Sequence, residues 1–225
     1  VGIYTFLRSL YRGGDSRFDC IRTDPKRFFT VFMLQAIWVT LCTVPVVALN
    51  SIPPEGFGGA GWWTEDRHTW VSGPWRMFIF WLGLWSFFRG IVIECLADWQ
   101  LMKWRWDKDR KKHDEVFCGT GLWEKSRHPN YFGECLIWLG ISLCCYAALV
   151  AGAAQKTTGM GWYTALVVCW TTPYFVYKML RNISIPLIEK RHDKLYMERK
   201  DYQVWRRHRS FRIWLDGSGI VWGYA

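Results

Sequence analysis

Asn130 and Glu134 stand four residues apart in Gly121-Leu122-Trp123-Glu124-Lys125-Ser126-Arg127-His128-Pro129-Asn130-Tyr131-Phe132-Gly133-Glu134, a spacing that puts both on one face of a helix. A neutral amide beside a carboxylate suits a carboxamide ligand. The preceding stretch carries Lys103, Arg105, Lys108, Arg110, Lys111, Lys112, Lys125 and Arg127, and an anionic guest is its natural partner. Arginine offers forked donors to phosphate, and the faces of Trp123 or a tyrosine can stack on an adenine or nicotinamide ring. Attraction to lipid headgroups is the alternative use of the same charge.

From Cys135 to Gln155 no residue is charged, and about 20 such residues suffice to cross the hydrocarbon core as a helix. The polar cluster therefore sits at the mouth of a membrane helix. Phe28 to Asn50 and Met160 to Tyr177 are likewise free of charge, while Met77 to Asp98 carries Arg89, Glu94 and Asp98. The expected architecture is an all-α polytopic transmembrane bundle in a single domain, 1–225, with spans at 28–50, 77–98, 135–155 and 160–177 and a tail at 178–225. Trp62, Trp63, Trp70 and Trp75 before the second span, and Trp104 and Trp106 after it, read as interfacial anchors.

Basic residues sort with these spans. Of 29 Lys and Arg, six fall in 1–27, eight in 99–133 and eleven in 178–225, against three in 51–76 and 156–159 together. The positive-inside rule makes the rich segments cytosolic. The net charge of +10 is then explained by anionic leaflets and phosphate-bearing nucleotides, and no nucleic acid is expected as a partner. Eight cysteines contain no CxxC pair, and Cys42, Cys144, Cys145 and Cys169 lie in apolar spans; they read as small buried hydrophobes. Cys118, His113 and His128 match no common zinc spacing, so no metal is expected.

Val1 to Leu10 reads as the end of an apolar helix leading to the turn Gly13-Gly14-Asp15, with further spans expected upstream and no signal peptide recognisable. The loop from Ile52 to Gly59 is too rich in Pro and Gly for regular structure.

Two more clusters have helical spacing. Glu94 and Asp98 are four apart, and Arg105, eleven residues beyond Glu94, returns to within about 20° of its direction on a helical wheel. Acidic groups at membrane depth cost roughly 2.5 to 3.5 kcal/mol on insertion scales, so this stripe lines a site or forms an interhelical salt bridge, with Arg89 or Arg127 as partner. In the tail, a helix beginning after Pro186 puts His192 and Tyr196 on one face beside Arg191, a second cluster able to close a pocket. Tyr202 and Trp205 read as packing residues.

Arg127-His128-Pro129-Asn130-Tyr131-Phe132-Gly133-Glu134 resembles the signature shared by the steroid 5-alpha-reductase family and the sterol C14 and C7 reductases. Asp15-Ser16-Arg17-Phe18, Gln35, Glu94 to Asp98, Gly121-Leu122-Trp123 and the tail through Tyr202 resemble the branch of reductase-like membrane proteins containing a DUF1295 domain. The resemblance covers nearly the whole chain. It implies a helix bundle in the endoplasmic reticulum of a eukaryote or the inner membrane of a bacterium, binding NADPH from the cytosol and reducing an activated C=C bond of a steroid or other lipid-like substrate.

By position, the resemblance assigns Asp98 and Arg105 to the adenosine and phosphate end of the cofactor, and Asn130 and Glu134 to the nicotinamide. His192 and Tyr196 match a cofactor-contacting His and Tyr in the tail by their spacing, Arg191 is placed as a phosphate ligand, and Trp123, Arg127 and His128 join the binding set. Glu94 stands where steroid reductases carry Asn, and the residues that polarise a steroid ketone lie in spans upstream of Val1. The implied reaction is hydride delivery followed by protonation, with Glu134 as the acid if burial holds its proton and Tyr131 relaying a proton or stacking on the cofactor.

A different chemistry shares part of this pattern. Isoprenylcysteine and phospholipid methyltransferases, which use S-adenosylmethionine, resemble the region through their own Arg-His-Pro-x-Tyr motif and paired acids in the tail. Here the tail reads Glu189-Lys190, and Asn130 with Phe132-Gly133-Glu134 favours the reductases.

Overall fold

The computed structural model describes residues 10, 23–53, 73–151, 154, 155 and 158–208 of the chain. The expected N-terminal helix end, the Gly13-Gly14-Asp15 turn, Asp15 to Phe18, the loop beyond Pro53 with its tryptophans, and the chain after His208 lie outside those residues. The described elements are all helical: α1 (Pro25–Asn50), α2 (Gly73–Asp109), the one-turn α3 (Leu122–Lys125), α4 (Pro129–Leu149), α5 (Trp162–Met179), α6 (Ile185–Tyr196) and α7 (Lys200–His208).

α1, α2 and α4 are long and apolar enough to cross a membrane, and the chain is an integral membrane helix bundle. α5 forms where a fourth span is expected, but its Trp, Tyr and Thr content leaves it outside that group, and packing against α1 and α4 holds it in the bundle. Helix ends depart from the expected spans for local reasons. Asp24 caps α1 by accepting from the Lys26 and Arg27 backbone nitrogens at 3.1 and 3.2 Å, and Pro25 occupies the first position, where its missing N–H costs nothing. Pro129 starts α4 six residues before the expected span, and the helix ends at Leu149 rather than running to Gln155.

α2 continues eleven residues past Asp98. Its 37 residues make it about 55 Å long, against about 30 Å of hydrocarbon, so its last turns reach beyond the core with Arg105 on them. Lys111 ends it at φ 59°, with Lys112 N donating to Asp107 O at 3.0 Å and Lys111 N to Lys108 O at 2.9 Å; these bonds satisfy carbonyls that the helix leaves open.

Small residues decide how α2 meets α4. Arg76, Gly83, Ser86, Gly90, Ile93 and Ala97 are the buried positions of α2, a seven-residue rhythm that turns one narrow seam toward a neighbour. Gly83 lies against Gly140 and Cys144, and Gly90 against Gly133 and Ile137; a Cβ on any of these four glycines would fall under 3.0 Å from the facing backbone. Helices in lipid gain little from burying apolar area and associate where small residues let backbones approach. The large side chains Phe78, Trp81, Trp85, Phe88 and Val92 are left exposed on the outer side of α2.

Prolines inside the bundle are compensated. Pro45 cannot donate to the Leu41 carbonyl one turn back in α1, and the Thr172 hydroxyl of α5 donates to that oxygen at 2.9 Å. Near Pro186 the chain does not begin a fresh helix, as the sequence suggests. A π-turn at Leu180–Ser184 joins α5 to α6 without a break, and the wider turn is a known way to absorb a missing backbone donor. α7 then folds back on α6: Tyr202 Oη donates to Asp193 at 2.9 Å, Arg206 pairs with Asp193 at 2.8 Å, and Phe117 stacks on Trp205 with ring centroids 4.7 Å apart. Tyr202 and Trp205 are thus packing residues.

Candidate functional site

The close α2–α4 seam brings Glu94 and Asp98 beside the first turns of α4. The Gly133 position meets the Glu94 backbone directly, so Glu134, the next residue, enters the same space. Glu94, Asp98 and Glu134 lie close enough for each to feel another's charge. Asn130 Nδ2 faces Asp98 Oδ1 at 3.5 Å, and Trp138 bonds the Glu134 side chain. All four polar residues are half-buried. One helix face of α4 and one of α2 therefore form a polar patch set among apolar helices, as the spacing of both pairs requires.

Arg105, two turns further along α2, is also half-buried and lies within electrostatic reach of both Asp98 and His192. His192 projects from α6 next to Arg191. Burial on its inner side, and then the charges of His128, Arg105 and Arg191, push its pKa below the 6.5 of a free imidazole. Three elements thus converge at this end of the bundle. The arrangement sets Arg105 between the Asp98–Asn130 pair and His192, with Tyr196 beside His192 at 6.2 Å between ring centroids.

Three residues expected to bind a ligand have protein partners. Arg127 Nη1 pairs with Glu189 Oε1 at 2.8 Å, and His128 Nε2 reaches the same oxygen at 3.1 Å. Arg127, His128 and Glu189 are 6, 7 and 8 % exposed, which makes this an internal clasp between the start of α4 and α6 rather than an anion site open to solvent. Trp123 is buried against Ala97 and Cys118, and its indole N–H donates to the Ala97 carbonyl at 2.9 Å; it anchors α3 to α2 and offers no free face for stacking. Tyr131 stays half-buried, its ring stacked under His128 at 5.5 Å and 11°.

The salt-bridge alternative for the α2 stripe also changes. Arg89 lies over the Trp85 ring at 4.8 Å, on the exposed side of α2, and Arg127 is directed to Glu189. Gly121 completes the turn into α3 with φ 64°, and the Gln100 amide fills the place a Cβ would take while its Oε1 accepts from Leu122 N at 3.0 Å. A side chain there would be strained twice, by the left-handed backbone and by Gln100.

Sequence reasoning missed Glu189 as a member of the site. Its partner His128 lies 61 positions away; the available signal was its place one turn before His192 on the same helix.

A family model, described as a protein of unknown function (DUF1295), matches residues 1–209. The chain belongs to the DUF1295 family. No curated protein and no solved structure matches it. The DUF1295 chain offers Arg105 of α2 and His192 of α6 at one end of this cluster, and an amide with three carboxylates two to three turns along α2 from Arg105.

Proposed function

We propose that this DUF1295 protein is an NADPH-dependent membrane oxidoreductase of the steroid 5-alpha-reductase type, reducing an activated C=C bond of a steroid or other lipid-like molecule. The observation that carries the reading is Arg105 standing within electrostatic reach of the Asp98–Asn130 pair on one side and of His192, with Arg191 next to it in sequence, on the other. The donor set fits a dinucleotide phosphate. Arg105 and Arg191 supply forked donors for its charged end, and His192 adds a third donor. Asn130, already oriented toward Asp98, offers its remaining amide valences to a carboxamide.

When bound, NADPH supplies a hydride to the electron-poor carbon. The chain's own residues do the rest. Trp138 holds the Glu134 side chain beside Glu94 and Asp98, a cluster of carboxyl groups suited to passing a proton between them. Glu134 is the proposed proton donor to the neighbouring carbon, with Tyr131, stacked on His128 one turn before it on α4, as a relay or a stacking face for the cofactor. Setting this patch among apolar helices excludes water and admits an apolar substrate from the bilayer, which supports a lipid-like substrate class. The basic mouth then faces the cytosol, where NADPH is found, with the endoplasmic reticulum as the proposed membrane.

Paired substitutions test the assignment. Asn130→Ala should mainly weaken NADPH binding, and Glu134→Gln should mainly abolish turnover with NADPH affinity changed less, because it keeps the size and removes the ionisable proton. Turnover of Glu134→Gln at the parental rate would remove Glu134 from the acid role.

A further inference from the structure

Glu189 is buried with two partners on one oxygen. Its Oε1 receives Arg127 Nη1 at 2.8 Å and His128 Nε2 at 3.1 Å. A carboxylate neutralised by an arginine has only acceptor capacity, so His128 must present Nε2–H to it, and in the neutral imidazole Nδ1 is left as an acceptor. The same bond fixes the ring plane. His128 is stacked nearly parallel to Tyr131, 11° between rings. Glu189 also lies one turn before His192 on α6 and Arg127 two residues before Pro129, the first residue of α4. The clasp therefore sets the position of the α6 cations relative to the α4 amide and carboxylate.

We propose that Glu189 is the positioning residue of this site: its carboxylate holds His128 in the Nε2–H form against Tyr131, and ties α6 to the start of α4 so that His192, one turn on, stands within reach of Arg105. The first half stands on the protein alone; the second rests on the reading that a nucleotide phosphate binds at Arg105, Arg191 and His192. Neither Arg127 nor His128 needs to touch the ligand for its loss to matter. This separates Glu189 from a merely structural ion pair, which would influence stability without setting a histidine tautomer.

Removing Glu189 alone strips a buried arginine of its 2.8 Å ion pair and invites unfolding. The informative variant is the double substitution Arg127→Met and Glu189→Met, which replaces the buried pair by apolar side chains of similar length and is tolerated far better. Two readouts are taken in nanodiscs: the ring nitrogen-15 shifts of labelled histidine, with His128 assigned through His128→Gln, and NADPH titration. In the parent, His128 should report the Nε2–H tautomer. In the double variant this signature should be lost, and NADPH affinity should fall about tenfold, the low end of what a lost charge-assisted contact costs. An Nδ1–H tautomer in the parent overturns the proposal at once, whether or not the double variant folds. So does a double variant with an unchanged His128 signature and parental NADPH affinity. A parent that shows the expected tautomer but binds no NADPH contradicts the nucleotide reading and, with it, the claim that Glu189 places α6 for a nucleotide.

Discussion

A Cβ built on Gly133 would lie 2.8 Å from the Glu94 backbone nitrogen and 2.9 Å from the Glu94 Cβ. That contact holds the polar patch together, since it lets α4 bring Glu134 to the level of Glu94 and Asp98. Gly133→Ala should therefore part the helices by a few tenths of an ångström or more and destabilise the protein by about 1 to 3 kcal/mol, the range for overpacking. Gly161→Ala is the control, because nothing lies within 4 Å of a Cβ there. Thermal unfolding in detergent compares the two; equal melting temperatures would contradict the close seam.

Arg105→Ala and Arg191→Ala should weaken NADPH binding more than NADH binding. The first nucleotide carries an extra phosphate that a forked guanidinium can hold, and a hydrogen bond of this charged kind is worth about 1.5 to 3 kcal/mol. Equal weakening for both nucleotides would place the phosphate elsewhere.

His192 gives a pH dependence of known sign. Its folded pKa lies below 6.5, for burial first and nearby cations second, so between that value and 6.5 the unfolded chain holds more protons than the folded one. Its contribution to stability is present above pH 6.5 and is lost as pH falls through the folded value. A bound phosphate reverses the local field and raises the same pKa, so NADPH binding should take up a proton and weaken as pH rises through the window between the free and bound values. Melting curves and titrations from pH 5 to 8 should show both trends in the parent and neither in His192→Gln. Parallel pH profiles for the two proteins would show that His192 does not face the ligand.

Much of this was legible in the chain. Charge-free runs as long as Phe28 to Asn50 admit few structures besides membrane helices, and the spacing of Glu94, Asp98 and Arg105 already carried the helical period that α2 keeps to Asp109. The seam was harder to see. Gly83, Gly90, Gly133 and Gly140 are unremarkable within apolar text, and only the matching of two seven-residue intervals across antiparallel helices gives them meaning. Arg127, His128 and Trp123 are of types that suit a nucleotide, and whether such a group faces a ligand or the protein depends on a partner distant in sequence. Glu189 and the Ala97 carbonyl were those partners. The ends of α4 and the join before α6 departed from the hydropathy limits because Pro129 starts a helix readily and a π-turn carries the chain past Pro186.

One titration separates a reductase from a methyltransferase most directly. Full-length protein purified in detergent is titrated with NADPH, NADH and S-adenosylmethionine, following tryptophan fluorescence or heat. NADPH should bind most tightly, with the preference over NADH diminished in Arg105→Ala, and S-adenosylmethionine should not compete. Saturable binding of S-adenosylmethionine with no response to NADPH would contradict the reductase reading and make the site that of a methyltransferase.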